Sequence, residues 1–299
     1  MSNNLIRSPY GDTTIEIRAG NLSTAMTTKR FSADYPLGNT DAEHDRLISQ
    51  AFRVAPTTER FFREAGIERG QRVLDVGSGV GDVAMLVASL VGPRGEVVGI
   101  ERDPKSIAKA RARVTEARLH NVTFNQSDVG EIPDGKPFDA AVGRFILMYL
   151  PDPVAALRSI SQTVRPGGVF AFQEPYWIPV LAHLAKLPLW FATASLIDEA
   201  MRAAAANHEM GTDLYRTFVE AGLPGPAMRM ELRFGKEPDL AQWYYDTLCS
   251  LLPQIEQLHL PIKSLGSLDT LVERLQAEVA ESKTVACWFA SVGAWCRKP

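Results

Sequence analysis

The sequence predicts an α/β fold with a doubly wound, mostly parallel sheet and helical segments at its N-terminal and C-terminal sides. From residue 72 onward, short runs rich in β-branched residues alternate with helical segments, and glycine or proline separates them. Such alternation indicates right-handed crossovers between parallel strands, with helices on both faces of the sheet. Because 45% of the 299 residues are hydrophobic, the chain can bury the large core that this fold needs.

The first elements are predicted from spacing and punctuation. Residues 1–45 are polar and weakly patterned, whereas helical spacing predicts two helices between residues 45 and 66, separated at Pro56. Five strands are predicted next, at residues 72–76, 96–100, 122–126, 138–142 and 169–173. The helices between them are predicted at residues 82–91, 104–118 and 153–164. The run Arg165-Pro166-Gly167-Gly168 is expected to end the last of these helices.

The pattern of the sequence changes after residue 175. Two long segments, residues 176–222 and 238–283, are predicted to be helical. A strand is expected at residues 227–234, and residues 285–295 are rich in β-formers. We therefore expect the later crossovers of the sheet to carry helical insertions that form a lid over a site.

Composition and charge exclude several classes of protein. The 32 basic and 35 acidic residues leave a net charge of −3, without the basic field that nucleic-acid binding needs. No apolar stretch reaches the roughly 18–20 residues of a membrane span, and the N-terminus lacks the apolar region of a signal peptide. The odd set Cys249, Cys287 and Cys296 shows no CxxC spacing, which favours neither disulfides nor zinc. The expected location is the cytoplasm.

A glycine-rich turn and two acids follow three consecutive predicted strands. The turn spans residues 77–81 after Asp75, Glu101 follows the second strand, and Asp128 follows the third. In an open α/β sheet, ligands bind beyond the carboxyl ends of the strands, so these groups are expected to share one crevice. Glu101 can accept hydrogen bonds from ribose hydroxyls, and Asp128 can accept one from an adenine amine. Taken singly, each feature also has a structural interpretation. The glycine turn is then needed only for packing, Glu101 is a solvated loop acid, and Asp128 forms an Asx-turn.

Five stretches of the sequence resemble the successive motifs of class I S-adenosylmethionine-dependent methyltransferases. They are VLDVGSGVGD, VVGIERDP, NVTFNQSDVGEIP, FDAAVGRFILMYLPDP and LRSISQTVRPGG. The similarity is greatest to the group that contains the ubiquinone/menaquinone C-methyltransferases. It implies a seven-stranded Rossmann-like sheet, S-adenosylmethionine as cofactor, and methyl transfer by in-line displacement to a small, apolar or aromatic molecule.

The resemblance covers about residues 70–175 and divides the chain into three parts. Residues 1–66 are expected to form an N-terminal segment and helices that cover the cofactor site. Residues 67–175 are expected to form the S-adenosylmethionine-binding core. Residues 176–299 hold the helical lid insertions and the last strands, on the substrate side. The match fades after residue 175. The resemblance therefore does not identify the acceptor or the methylated atom, and it does not decide whether the protein forms a homodimer.

The resemblance also implies roles for individual residues. The methionine part of the cofactor is expected to lie against Asp75, Gly77, Ser78, Gly79 and Gly81. Glu101 is expected to hold the ribose, Arg102 to pack on the adenine face, and Asp128 and Val129 to bind the adenine edge. The sulfonium and the cofactor carboxylate are expected near Gly143 and Arg144. Tyr35 resembles a tyrosine that some relatives fold over the cofactor.

Two alternatives stay open at this point. A nicotinamide dehydrogenase requires G-x-G-x-x-G, whereas residues 77–81 read G-x-G-x-G and Asp82 places an anion where a pyrophosphate would bind. A methyltransferase-like protein that binds the cofactor without catalysis is the other alternative.

A metal is not predicted, because Asp152 stands alone after the fourth strand. The absence of an Asn-Pro-Pro-Tyr motif disfavours nucleic-acid and protein acceptors.

The sequence contains only weak signals for catalytic residues. Methyl transfer needs a protein base only when the acceptor must lose a proton early. The candidates are His208, Glu174 and Tyr149. Each also has a purely structural interpretation: a packed histidine, an acid that caps a loop, and a tyrosine of the core, in the same order. Trp177 and Trp243 are aromatic residues of the variable segments that could contact a flat acceptor, or simply belong to the core.

Overall fold

The computed structural model describes residues 40–129, 132 and 135–299, without the side chains of residues 41 and 42. Its helices are α1 Asp41–Ala65, α2 Asp82–Val91, α3 Pro104–Glu116, α4 Pro153–Thr163, α5 Ile178–Leu184, α6 Pro188–Ala203, α7 Met210–Glu220, α8 Pro238–Ser250, α9 Leu252–Gln257 and α10 Leu271–Glu281. Its strands are β1 Arg72–Val76, β2 Glu96–Glu101, β3 Val122–Gln126, β4 Phe138–Arg144, β5 Val164–Tyr176, β6 Ala227–Glu231, β7 Phe234–Gly235, β8 Ala286–Cys287 and β9 Ala290–Arg297.

Seven of these strands form one sheet in the order β3-β2-β1-β4-β5-β9-β6. Strands β1 to β5 pair in parallel, and β9 runs antiparallel to both β5 and β6. The predicted mostly parallel, seven-stranded Rossmann-like sheet is therefore confirmed. The strand order reverses between β1 and β4, and a crevice opens there at the carboxyl ends of the strands.

Helix α1 differs from its prediction. The sequence predicts two helices separated at Pro56, but one helix runs through this proline, so the predicted break is wrong. The missing N–H of Pro56 removes the bond to the carbonyl of Phe52, whose side chain is 83% exposed, so water can reach this turn. The next carbonyl, that of Arg53, accepts a hydrogen bond from Nη1 of Arg233 at 3.0 Å.

Strand β5 also differs from its prediction. The sequence predicts a strand at residues 169–173, after a run at 165–168 that ends the helix, but the strand already begins at Val164 and includes this run as an irregular part. Phe138 pairs with Val164 and Ala140 pairs with Val169, so the extra residues lie in a bulge. Gly167 takes a φ of +73° there, a value that favours glycine.

The helices of the C-terminal part pack as one apolar core with one face of the sheet. This core contains buried residues from α5 to α8 and from α10, together with the aromatic side chains of Trp177 and Trp243. Both are nearly inaccessible, at 3% and 4% exposure, so the structure places them in the core rather than on an open pocket wall. None of the helices in the described ranges is long and apolar enough for a membrane span. The three-part division of the chain stays a prediction.

Candidate functional site

The glycine-rich turn joins the carboxyl end of β1 to α2. Gly77, Gly79 and Gly81 all have positive φ, at +66°, +49° and +89°. The turn is fixed by a bond from the N–H of Ser78 to the carbonyl of Ile100 on β2, at 2.9 Å. A Cβ placed on Gly79 would meet no atom within 4 Å, so the backbone here faces open space and a ligand can approach it closely.

Asp75 is a buried carboxylic acid without a hydrogen-bond partner among the described residues. Its side chain is 1% exposed, and neither carboxyl oxygen has a hydrogen-bond partner in the described part of the chain. Burial raises the pKa of Asp75 to about 8, against the lowering effect of the positive charge of Arg144. The backbone N–H of Ala84 lowers this pKa as well, although it makes no regular hydrogen bond with the carboxyl group. A buried acid in this state fits a ligand that brings a cation or several N–H donors, such as the ammonium of a methionine moiety. The predicted role of Asp75 therefore fits this structure.

Glu101 ties the turn to the end of β2. Its Oε2 accepts a bond from the N–H of Gly79 at 2.9 Å, and its Oε1 accepts from the N–H groups of Arg102 and Asp103 at 2.9 and 3.0 Å. Since a carboxylate offers about four acceptor positions, capacity remains at Oε2 for a ribose hydroxyl. Glu101 thus fixes the turn, and its role toward the ribose stays a prediction.

We expect the Glu101→Ala variant to bind S-adenosylmethionine more weakly by about 1.5–3 kcal/mol, because charged hydrogen bonds to the ribose are lost. Glu101→Gln keeps one acceptor for Gly79 and should lose less. Titration calorimetry on both variants separates anchoring of the turn from ribose binding. Glu96→Gln, on the same strand and paired with Arg72 at 2.8 Å, is the matched control. Unchanged affinity in Glu101→Ala would exclude this residue from the site.

The end of β3 lies beside the end of β2, as the sequence predicts for neighbouring parallel strands. The N–H of Ser127 donates to the carbonyl of Glu101 at 3.0 Å. Asp128 is exposed and Val129 is buried, so the carboxylate is accessible to a ligand and the apolar side chain is not. Arg102 is exposed as well. Their roles toward the adenine ring stay predictions.

Arg144 is held by two residues that the sequence analysis does not identify. Its Nη1 donates to Oγ1 of Thr58 at 3.3 Å, and Thr58 donates to Oε1 of Gln173 at 2.8 Å. Thr58 and Gln173 are 0% and 2% exposed, so this chain of bonds runs inside the protein between α1 and β5. The polar residues at buried positions of an apolar pattern are the signal that could have found them.

Other predicted cofactor residues are placed as follows. Gly143 lets β4 approach β5 closely, because a Cβ there would lie 2.7 Å from Cε1 of Phe172. Ser78 is 6% exposed, and its hydroxyl has no hydrogen-bond partner in the described ranges. Tyr35 lies outside the described residues.

Glu174, a catalytic candidate, is fully engaged by backbone groups. Its Oε1 accepts from the N–H groups of Ile146 and Leu147 at 3.1 and 2.8 Å, and its Oε2 accepts from Met148 at 3.4 Å. Burial raises the pKa of Glu174 to about 8, although these three donors lower it. The carboxyl group thereby fixes the turn that follows β4.

His208 forms a buried pair with Asp198. Its Nδ1 lies 2.8 Å from Oδ1 of Asp198, and its ring stacks on Trp177 with centroids 5.2 Å apart. Burial lowers the pKa of His208, while the bond to Asp198 raises it. The ring is only 2% exposed, so it is not open to a ligand in this conformation.

The three catalytic candidates surround the turn after β4. Glu174 binds the N–H of Met148, and the carbonyl of Met148 accepts from the N–H of Asn207, next to His208, at 2.8 Å. Tyr149 follows Met148 and is half-buried.

Within residues 40–129 and 135–299, no group of three or more His, Cys, Asp or Glu residues could hold a metal ion. That no metal is needed stays a prediction.

The profile of the methyltransferase domain family matches residues 67–222, more than half of the chain. The chain belongs to the class I S-adenosylmethionine-dependent methyltransferases. The predicted family, fold, cofactor and enzymatic activity on small molecules are therefore confirmed. The dehydrogenase and the non-catalytic binding protein are set aside.

Two relatives and one solved structure illustrate the similarity of this methyltransferase. It is 32% identical over 150 residues to aklanonic acid methyltransferase DauC of Streptomyces sp. strain C5, covering 45% of this chain and 68% of the relative. It is 28% identical over 176 residues to demethylmenaquinone methyltransferase of Staphylococcus aureus strain JH9, covering 55% and 72%. A protein from Bacillus halodurans C-125 described as a methyltransferase shares the fold, with 16% identity and a TM-score of 0.55 over 80% of this chain and 97% of that one.

Proposed function

We propose that this methyltransferase acts on a flat aromatic or quinone-like molecule that binds beside the carboxyl end of β4. The observation that carries this proposal is the conformation of Phe145, directly after Arg144. Phe145 has a φ of +55°, which is strained for a residue with a large side chain. Its ring packs edge-on against Phe289, with centroids 5.3 Å apart. Aromatic surface next to the cofactor side suits a flat acceptor.

The names of the relatives support the same class of acceptor. Aklanonic acid methyltransferase and demethylmenaquinone methyltransferase are both named for small acceptors, and the second is named for a quinone. We infer that this chain shares such a substrate class. That it does not methylate nucleic acid, that it works in the cytoplasm and that it forms a homodimer are further proposals.

The cofactor supplies an electrophilic methyl group on a sulfonium, so the protein needs mainly to orient the acceptor and exclude water. We propose that Asp75 and Arg144 hold the charged groups of the methionine moiety, that Glu101 binds the ribose and that Asp128 binds the adenine. Val129, Arg102, Ser78 and the glycines of the turn complete this cradle.

The catalytic candidates fit positioning roles better than proton transfer. Among the described residues, Glu174 accepts its hydrogen bonds from backbone N–H groups of the turn after β4, and the His208 ring is covered by Trp177. We propose that both residues hold the loops around the acceptor. Tyr149, half-buried in the same turn, stays a prediction as a pocket residue.

The test is an acceptor panel with purified protein and S-adenosylmethionine. We expect formation of S-adenosylhomocysteine above the acceptor-free background with naphthols and naphthohydroquinones, and mass spectrometry should find the methylated product. Aliphatic thiols and amines of similar size are the comparison. Turnover confined to those aliphatic compounds would refute the proposed acceptor class.

A further inference from the structure

A small cleft lies between α1, the end of β6 with the link that follows it, and the segment that joins β8 to β9. Six of the residues that line it are Thr57, Glu231, Arg233, Trp288, Phe289 and Ser291. Its cavity volume is about 20 Å³, which is room for one oxygen atom or water molecule. A ligand at this cleft therefore enters with a single substituent, while its ring stays at the mouth.

The cleft contains an unpartnered buried hydroxyl. Ser291 is 8% exposed, and its Oγ has no hydrogen-bond partner among the described residues. A buried hydroxyl normally makes at least one hydrogen bond, and leaving it unpaired costs free energy. Because Ser291 lines the cleft, an oxygen that enters the cleft, from water or from a ligand, is the partner available to its hydroxyl.

The mouth of the cleft has a positive charge that the protein does not neutralise. Glu231 pairs with Arg60 at 2.6 Å, and Asp239 pairs with Arg53 at 3.2 Å. In the described part of the chain, Arg233 has no carboxylate within ion-pair distance. The unmatched charge favours an anion.

The guanidinium of Arg233 is held in place by its surroundings. It donates to the carbonyl of Arg53 at 3.0 Å and lies over the Trp288 ring, 5.3 Å from the centroid. A cation over an aromatic face is stabilised by the ring electrons. Because these contacts use one N–H group and one face, the other N–H groups remain available for an oxyanion.

Two contacts connect the cleft to the cofactor side. Phe289 lines the cleft and packs against Phe145, the residue after Arg144. Thr57 lines it too, and its neighbour Thr58 accepts the hydrogen bond of Arg144. The cleft is therefore adjacent to the place where the proposed function puts the acceptor.

We propose that this cleft selects acceptors that carry an oxyanion, such as an aromatic carboxylate with a neighbouring ring hydroxyl. Arg233 binds the anionic oxygen at the mouth, and Ser291 bonds an oxygen substituent inside. This inference rests on the proposed function, since it narrows the class of aromatic acceptor. It makes Arg233 and Ser291 specificity-determining residues.

The test compares two probes that differ in one group, 1-hydroxy-2-naphthoate and 1-naphthol. Each is titrated calorimetrically into the protein saturated with S-adenosylhomocysteine. For the wild type we expect the carboxylate to bind at least about tenfold more tightly, as a paired guanidinium allows. Arg233→Gln should abolish this preference and leave the affinity for 1-naphthol unchanged. Ser291→Ala should weaken both probes several-fold.

Arg229→Gln is the matched control, because Arg229 lies on the neighbouring strand β6 and pairs with Glu64. It should keep the wild-type preference. The inference is overturned if the wild type shows no preference, if Arg233→Gln retains it, or if Arg229→Gln loses it equally. Methyl transfer to uncharged naphthols and hydroquinones is scored separately, so the proposed function can stand when the anion preference fails.

Discussion

The Asp75→Asn variant should lose most of its affinity for S-adenosylmethionine, by about 2–4 kcal/mol or roughly 30- to 1,000-fold. The reason is that Asp75 is a buried carboxyl group whose two oxygens have no hydrogen-bond partner in the described residues. An amide of the same shape keeps one acceptor oxygen but has no negative charge to pair with an ammonium group. Calorimetry with S-adenosylmethionine and S-adenosylhomocysteine measures the loss.

The same variant should be more stable than the wild type without ligand at pH 8. The pKa of Asp75 in the fold is about 8, above the roughly 3.9 of an unfolded chain. Between these two pH values the folded state holds the extra proton, so the free energy of unfolding falls as pH rises. Asparagine removes this dependence, and the difference between the variants should vanish near pH 4.

Cofactor binding by the wild type should release a proton at pH 7. The carboxyl group is mostly protonated before binding, and a cationic ligand favours its ionised form. Calorimetry in buffers of different ionisation enthalpy detects the proton, and affinity should rise with pH up to about 8. Asp139→Asn, at the opposite end of the sheet, is the control. Equal affinity of Asp75→Asn and wild type would remove Asp75 from the site.

The cofactor side of the site was predictable because the sheet itself gathers its residues. Parallel strands bring their carboxyl ends to one edge, so Asp75, Glu101 and Asp128 could be placed together from strand order alone. The glycines of the turn follow the same logic, since positive φ values are local requirements. Local pattern and global topology agree here.

The support of Arg144 and the cleft beside it could not be predicted in this way, because their contacts join distant segments. Thr58 and Gln173 are 115 positions apart and meet only when α1 packs on β5. Ser291 and Arg233 come together through β9 and the strands beside it. For Trp177 and Trp243, the sequence could not distinguish a pocket wall from the core, since both demand large apolar surface.

Glu174→Ala should lower the free energy of unfolding by several kcal/mol. The substitution leaves the N–H groups of Ile146, Leu147 and Met148 without their acceptor, at about 1–3 kcal/mol for each buried group. The same turn follows Arg144 and Phe145, so cofactor affinity should fall as well. Chemical denaturation and calorimetry measure the two losses.

Glu174→Gln decides between the structural and the catalytic role. Its amide oxygen can replace Oε1 for Ile146 and Leu147 and gives up only the 3.4 Å contact with Met148. We therefore expect a loss of stability of about 1 kcal/mol and nearly unchanged turnover. A group that exchanges protons would instead lose about 10²- to 10⁴-fold in turnover, because an amide cannot replace it. Loss of turnover on that scale in a folded Glu174→Gln protein that still binds S-adenosylmethionine would restore Glu174 as a catalytic residue.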